Sequence, residues 1–597
     1  MIRAKQSMNP TVNEAARVSD WREWRPSLNP LLRRIAAVFG LSAVLVLCWR
    51  AAEIRPSALF EASAAASVLH FLRSLFPPDL SPDFLRVVGA AIGRTLAMAI
   101  AGTTLSIVIG LPLGALATAT LYRRGVLMAG ERKGAGLLLL AGLSRAARAL
   151  LGFLRAVPDL MWGLLFVVAV GLGSLAGALA LAVSYCGVLG RVYADVFEDV
   201  DPRPLEALHA TGATRAQVFL QAIWPQAAPG VVAYTLYSFE CCVRAASVLG
   251  FIGAGGIGYE INLSMRLFEY GQVFTLIIAF VVLVAATDAL SRSLRRRLRA
   301  NAPLGSPAHL PLILGRGLRE RLISTGWLTK GRIAVVAIAA VAVSFYASGF
   351  AGGALTDPEL PRRVTRFIGA MFPPESDPSF LRSLVVPLFQ TVGISVMGTL
   401  VGIGVGSVLS LPATSTLVFA EADAAGRRSL PSRLWRWAVY TAARLMLNAL
   451  RSIPELIWVL VCILAVGLGP FAGTVAIGLH TGGVLGKLYA ETLEEVPTQP
   501  VEALRASGAS LFQILLWGMW PQARPMLASY TVLRWETNLR VSTILGLVGG
   551  GGLGQAIYNN VQLGFYPRVA TLIAIVYLLV IATDWIGDRL RRRPAVA

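Results

Sequence analysis

Two glutamate–arginine pairs stand inside otherwise apolar stretches: Glu240 with Arg244, and Glu536 with Arg540. In each, Glu precedes Arg by four residues, which places both on one face of a helix. A charge at the centre of a bilayer costs roughly 2.5–3.5 kcal/mol on insertion scales, so such groups face a cavity or pair with each other. Two readings stand side by side. Either each arginine offers positive charge to an anion on a pathway, or each pair neutralises itself and is structural. Arg155 and Arg451 open the motifs Arg-Ala-Val-Pro158 and Arg-Ser-Ile-Pro454. Proline removes a helical hydrogen bond and kinks the helix. These motifs read either as a bent helix beside a pathway or as a helix start whose arginine snorkels to the headgroups.

Other chemistries find no footing. No G-x-x-x-x-G-K-[ST] occurs, so no phosphate-cradling loop for ATP hydrolysis is expected on this chain. Gly253 to Gly258 formally reads G-x-G-x-x-G, and Gly549 to Gly554 is its copy. A dinucleotide site needs that pattern between a strand and a helix. Here it follows an apolar helix, so it reads as a helix break at the outer mouth of a pathway. The five cysteines lie in or beside apolar segments without a C-x-x-C, and the four histidines are scattered. No metal site and no catalytic residue are expected.

The elements that must carry these groups follow from composition. Of 597 residues, 55% are hydrophobic and only 15% charged. A soluble domain is about 25% charged, so the chain reads as a polytopic membrane protein. The net charge of +21 invites a nucleic-acid reading. The basic residues flank apolar spans, however, as in cytoplasmic loops of membrane proteins, so no nucleic-acid partner is expected.

An internal repeat organises the chain. Phe76-Pro-Pro recurs at Phe372, Arg155 to Trp162 at Arg451 to Trp458, Glu206-Ala-Leu at Glu502, and Trp224-Pro-Gln at Trp520. Every offset is 296 residues. Apolar spans fall near 35–52, 84–118, 141–171, 172–188, 229–251 and 271–291, then near 331–349, 382–415, 440–467, 468–485, 525–548 and 568–587. A helix needs about 20 apolar residues to cross a bilayer. The expected fold is therefore an all-α polytopic membrane protein with about 12 transmembrane helices in two parallel six-helix repeats. The expected organisation is an N-terminal cytoplasmic arm (1–34), a first transmembrane domain (35–297), a basic cytoplasmic linker (298–330) and a second transmembrane domain (331–597). The apolar stretch from Ile35 to Trp49 follows too long a leader for a signal peptide and reads as a retained helix.

Lys and Arg set the orientation. Arg22, Arg25, Arg33 and Arg34, then Arg123, Arg124, Arg132 and Lys133, then Arg295, Arg296, Arg297 and Arg299 fall on one side if each half has six spans. That side is the cytoplasm, which puts both termini inside.

The loop between the fourth and fifth spans then lies inside as well. It reads Glu206-Ala207-Leu-His-Ala-Thr-Gly212 with Pro225 beyond, and Glu502-Ala503-Leu-Arg-Ala-Ser-Gly508 with Pro521 beyond. This resembles the EAA loop of binding-protein-dependent ABC importer permeases. Glu, the first Ala, Gly and Pro match in both copies; the second Ala is Leu, and the apolar tail is degenerate. The expected form is a short helix–turn–helix with glycine at the turn and the glutamate capping the first helix. The run of Glu-x-x-x-Arg followed by Leu-Gly-x-x-Gly-x-Gly-Gly-x-Gly, with Arg-[Ala/Ser]-[Val/Ile]-Pro-[Asp/Glu]-Leu, resembles the phosphonate/phosphite branch of that family.

The resemblance implies a MetI-like permease fold with two permease copies fused, and a small oxyanion, a phosphonate or phosphite, as cargo. It implies two ATP-binding-cassette ATPase subunits, which bind ATP and Mg, and a periplasmic or lipoprotein substrate-binding protein. It implies a multi-pass chain of the bacterial inner membrane. The implied coupling residues are Glu206, Ala207, Gly212, Pro225, Glu502, Ala503, Gly508 and Pro521. The pathway candidates are Glu240, Arg244, Glu536, Arg540, Arg155, Pro158, Arg451 and Pro454. The alternative is a major-facilitator-type secondary transporter, which also has two parallel six-helix halves. Its acidic–basic signature is missing from the basic loop after Tyr122, and it leaves the paired loops unexplained.

Overall fold

A computed structural model describes residues 30–60, 66, 69–71, 73–122, 135–300, 327–350, 358–419 and 430–592. Arg22 and Arg25 of the arm, the loop residues Arg123, Arg124, Arg132 and Lys133, and linker residues 301–326 lie outside the described residues. Among the described residues there is no strand.

The first repeat runs α1 (Pro30–Ala51), α2 (Pro82–Ala117), α3 (Ala135–Ala156), α4 (Asp159–Val170), α5 (Ser174–Glu198), α6 (Pro202–Ala210), α7 (Trp224–Leu249), α8 (Ile257–Arg266) and α9 (Tyr270–Ala300). The second repeats the order as α10 (Trp327–Ala347), α11 (Val385–Ser410), α12 (Leu430–Ser452), α13 (Glu455–Val466), α14 (Pro470–Glu494), α15 (Thr498–Ala506), α16 (Trp520–Leu545), α17 (Gly552–Gln562) and α18 (Tyr566–Arg592). Six described helices are long and apolar enough to cross a membrane, or nine if each bent pair is one span. The described apolar parts of α1 and α10 are shorter, 38–51 and 335–347.

The third span differs from a merely kinked helix. α3 and α4 meet at 88°, and α12 and α13 at 96°. The break falls at Pro158 and Pro454, where the chain leaves helical geometry with ψ near 144° and 148°. A 12-residue helix is about 18 Å long, too short to cross a bilayer alone. The indole N–H of Trp162 donates to Leu154 O at 3.3 Å across the break, and that of Trp458 to Leu450 O at 3.1 Å.

α2 and α5 form the spine of the first repeat, and α11 and α14 that of the second. They pack in parallel with small residues between them. A Cβ on Gly102 would stand 2.7 Å from the Leu181 Cβ, and one on Gly114 2.7 Å from the Gly190 carbonyl. Close backbone approach of this kind is how membrane helices associate without a hydrophobic drive between them. The first helix of each repeat is exchanged. α1 packs on α11, where Cys48 and Ala52 meet Met397, while α10 packs on α2. Outside the spans, the Ser81 N–H donates to Asp79 at 3.0 Å and holds that carboxyl below the usual range.

Candidate functional site

The predicted helix–turn–helix is present in both repeats. α6 ends in a turn at Gly212, whose φ is +80°, and α15 ends at Gly508 with the same φ. Glycine takes that left-handed conformation without steric penalty. Thr214 and Gln217 then form a capping box, as do Ser510 and Gln513, and a π-helical turn leads into α7 or α16. Leu205, Val218 and Ile223 pack beneath Tyr193 and Phe197, which fixes the loop to the end of α5. Glu206, Ala207, Gly212 and Pro225 stay exposed, as do Glu502, Ala503, Gly508 and Pro521. The expected capping role is corrected: Glu206 is the fifth residue of α6, beyond reach of its N-terminus, and Asp201 caps it by accepting from the Arg203 N–H. α15 has Pro497 at that position and no side-chain cap.

A second pair of glutamates, unnoticed in the sequence, anchors the loops. Glu494, at the end of α14, accepts from the Ser415 N–H at 2.6 Å and from Arg444 at 2.7 Å. Arg444 also donates to Ala413 O at 2.8 Å. Glu198 joins Arg148 and the Ala119 N–H in the same way in the first repeat. Each clamp ties the end of the second span, the third span and the start of the helix–turn–helix loop together.

The self-neutralising reading of the Glu-x-x-x-Arg motifs is corrected, because each glutamate pairs with an arginine of another helix. Glu240 stands 2.8 Å from Arg295 of α9, and Glu536 2.6 Å from Arg591 of α18. The last span of each repeat therefore takes the glutamate away from its i+4 arginine. Arg540 pairs instead with Asp584 at 2.7 Å, and Arg155 of the first repeat reaches the same Asp584 at 3.1 Å. Glu240, Glu536, Arg540 and Arg155 are thus ion-paired and line no described cavity, and Pro158 is buried at the α3–α4 break.

Arg244, Arg451 and Pro454 do come together. They line a cavity of about 360 Å³ between the two repeats. The third guanidinium there belongs to Arg534. Glu455 stands 3.2 Å from Arg534 and 3.1 Å from the His480 ring. Asp159 faces the same space, with its Oδ1 accepting the Leu160 N–H, and Tyr185 and Tyr237 add hydroxyls. The sequence reading passed over these groups. Asp159 and Glu455 served only to mark the repeat, and His480 counted as scattered. Arg534 carried a usable signal, a third arginine in an apolar span with no equivalent in the first repeat, where Ser238 stands.

Farther from the helix–turn–helix loops, the glycine runs break the fifth span. α7 ends at Leu249, Gly253, Gly255 and Gly256 take positive φ, and α8 begins at Ile257, whose N–H donates to Thr95 Oγ1 at 3.0 Å. The Gly173 N–H donates to Gly253 O at 3.0 Å, joining the break to the α4–α5 turn. Phe251, Ile252, Leu547 and Val548 of the two breaks line a second inter-repeat cavity of about 360 Å³ with Arg266, Asn262 and Tyr558. Leu160, Leu249, Leu456 and Leu545 belong to the apolar cluster that meets both cavities. A crevice of about 790 Å³ lies within the second repeat, and Arg524 is the charged residue in its lining, so it is no inter-repeat path.

Residues 134–300 and 424–596 match the family described as binding-protein-dependent transport system inner membrane component. The chain belongs to this family. The matched segments span α3 to α9 and α12 to α18, which contain both helix–turn–helix loops and every lining residue of the polar cavity. This inner membrane component is similar over 559 residues to the phosphate-import permease protein PhnE of Mycolicibacterium smegmatis, with 32% identity covering 92% of this chain and 93% of that protein. It is 35% identical over 266 residues to the phosphite transport system permease protein PtxC of Stutzerimonas stutzeri, covering 45% of this chain and 90% of that one. The cryptic phosphonate transport system permease protein PhnE2 of Escherichia coli, described as putative, is 36% identical over 117 residues, covering 20% and 96%. The permease is a subunit of an ATP-binding-cassette importer, as the paired loops implied, and the secondary-transporter alternative has no support.

Proposed function

We propose that this permease carries a small phosphorus oxyanion, a phosphonate or phosphite, between its two repeats. The single observation behind this reading is the inter-repeat cavity, which draws Arg244 from one repeat and Arg451 and Arg534 from the other. Guanidinium groups match oxyanions through paired N–H donors, and they do so without deprotonating. The relatives whose names specify phosphate, phosphite and phosphonate carry the same chemical class.

Energy enters through two separate ATPase subunits, which bind ATP and Mg, one at the loop of Glu206, Ala207, Gly212 and Pro225 and one at the loop of Glu502, Ala503, Gly508 and Pro521. A separate binding protein delivers the anion on the opposite side, and both termini lie in the cytoplasm. ATP-driven approach of the two loops moves the repeats against each other and shifts access from one cavity to the other. The decisive experiment is uptake of labelled phosphite and methylphosphonate into proteoliposomes holding the chain, its ATPase subunits and its binding protein. Arg244→Gln is expected to lower uptake at least tenfold while the complex still assembles. Uptake at the unsubstituted rate would remove the cavity from the pathway.

A further inference from the structure

The two repeats each contribute an aspartate to the sixth span at matching positions, Asp288 and Asp584, and matching arginines at 155 and 451 and at 244 and 540. Two equivalent clusters are therefore available at the interface. One is closed: Asp584 takes Arg155 at 3.1 Å and Arg540 at 2.7 Å. The other is open. Asp288 Oδ1 is buried and has no hydrogen-bond partner among the described residues, while Arg244 and Arg451 turn into the polar cavity. Both remain within electrostatic range of Asp288.

The sequence explains why the clusters differ. Arg451 donates through Nε to Asn448 Oδ1 at 3.2 Å, whereas the first repeat has Gly152 at that place, and nothing holds Arg155 back from Asp584. Arg244 lies 3.5 Å from Cys241 Sγ; the second repeat has Thr537 there, whose hydroxyl donates to Leu533 O at 3.0 Å and leaves Arg540 to Asp584. These two departures from symmetry thus fall on the residues that steer Arg244 and Arg451.

We propose that Asp288 is an internal competitor for the Arg244–Arg451 pair: both arginines face the cavity in the arrangement described above, and Asp288 takes both when the oxyanion is released, as Asp584 takes Arg155 and Arg540. A carboxylate and a tetrahedral oxyanion use the same N–H fork of a guanidinium, so one arginine face serves one or the other. The closed cluster at Asp584 shows the geometry of that second arrangement. Asp288 thereby sets the affinity of the cavity low enough for release, and only an anion that engages both arginines displaces it. The inference rests on the reading of the cavity as the oxyanion path.

Binding of inorganic phosphate, phosphite and methylphosphonate to the full chain with its ATPase subunits in nanodiscs tests it by calorimetry. Asp288→Asn is expected to tighten phosphite and methylphosphonate binding about tenfold, and Asn448→Ala, which frees Arg451 toward Asp288, to weaken it severalfold. Asp584→Asn is expected to leave the affinity unchanged. Unchanged affinity in both Asp288→Asn and Asn448→Ala, with binding still lost in Arg244→Gln, overturns the competition and leaves the pathway reading intact. Unchanged affinity in Arg244→Gln and Arg451→Gln overturns the pathway reading itself. Should Asp288→Asn fail to fold, the direction of change in Asn448→Ala decides alone.

Discussion

Asp584 of the second repeat holds Arg155 of the first at 3.1 Å, an ion pair that joins the two halves. Arg155 follows from a motif at the end of α3, Asp584 from the middle of α18, and 429 residues separate them. Arg155 is 40% exposed, so solvent screens the pair and its worth is modest. Asp584→Asn is expected to lower stability by about 1 kcal/mol, because Arg540 loses the same partner. Combined with Arg155→Gln, it should cost less than the sum of the two single changes, as expected for residues in contact. Thermal unfolding of the purified chain in detergent measures this cycle, and strict additivity would dissolve the pair as an inter-repeat link.

The exposed glutamates of the coupling loops make a contrasting prediction. Glu206→Gln with Glu502→Gln removes charge from a surface, so stability should move by no more than about 0.5 kcal/mol. ATP hydrolysis by the assembled complex should persist while uptake falls, because the loops still dock yet transmit motion poorly. Gly212→Ala acts otherwise. Nothing stands within 4 Å of a Cβ there, so the penalty is conformational, about 1 kcal/mol for a left-handed residue. Co-purification with the ATPase subunits should weaken in Gly212→Ala and Gly508→Ala alike. Full coupling in the double glutamine variant would place the contact elsewhere in the loop.

What the sequence showed, and what it withheld, follows one physical line. Local features were legible: the glycine turns at 212 and 508, the prolines at 158 and 454, the breaks at 253 and 549. Each depends on what one residue type permits its own backbone to do. The constant offset of 296 residues gave the repeat, and with it the matching loops. Partner choice was not legible, because it depends on which helices become neighbours. Glu240 and Arg244 satisfy helix spacing, yet Arg295 arrives from α9 and takes the glutamate. The exchange of α1 and α10 between repeats left no local trace either. Asp159 and Glu455 were visible as letters, but only the near-perpendicular breaks at α3–α4 and α12–α13 turn them into the cavity.

The glycine runs also differ from the loop glycines in kind. A Cβ on Gly258 would lie 1.7 Å from Ser247 O, and one on Gly554 1.8 Å from Thr543 O. Backbone cannot yield there as a flexible side chain would, so Gly258→Ala should destabilise by more than about 2 kcal/mol. A large loss of folded protein, read by size-exclusion chromatography after expression, is expected for Gly258→Ala and Gly554→Ala. Normal yield would show that the break can reorganise. The same experiment on Gly171→Ala serves as a comparison, since nothing stands within 4 Å of its Cβ and its cost arises from φ of +107° alone.

On the proposed pathway Arg534 serves both stability and transport, and a double substitution separates the two. Its guanidinium is 14% exposed and stands 3.2 Å from Glu455, which is 24% exposed. Arg534→Gln leaves Glu455 with His480 as its one close partner, and breaking a buried pair costs about 3 kcal/mol. Adding Glu455→Gln removes the stranded carboxylate, so the double variant should recover most of the lost stability in thermal unfolding. Uptake should not recover with it, because the cavity still lacks one of its three arginines. If uptake returned along with stability, Arg534 would be a counter-ion for Glu455 and not a contact for the anion. If neither returned, the pair would be holding the broken third span against α14, where the His480 Nδ1 meets Ile453 O at 3.0 Å.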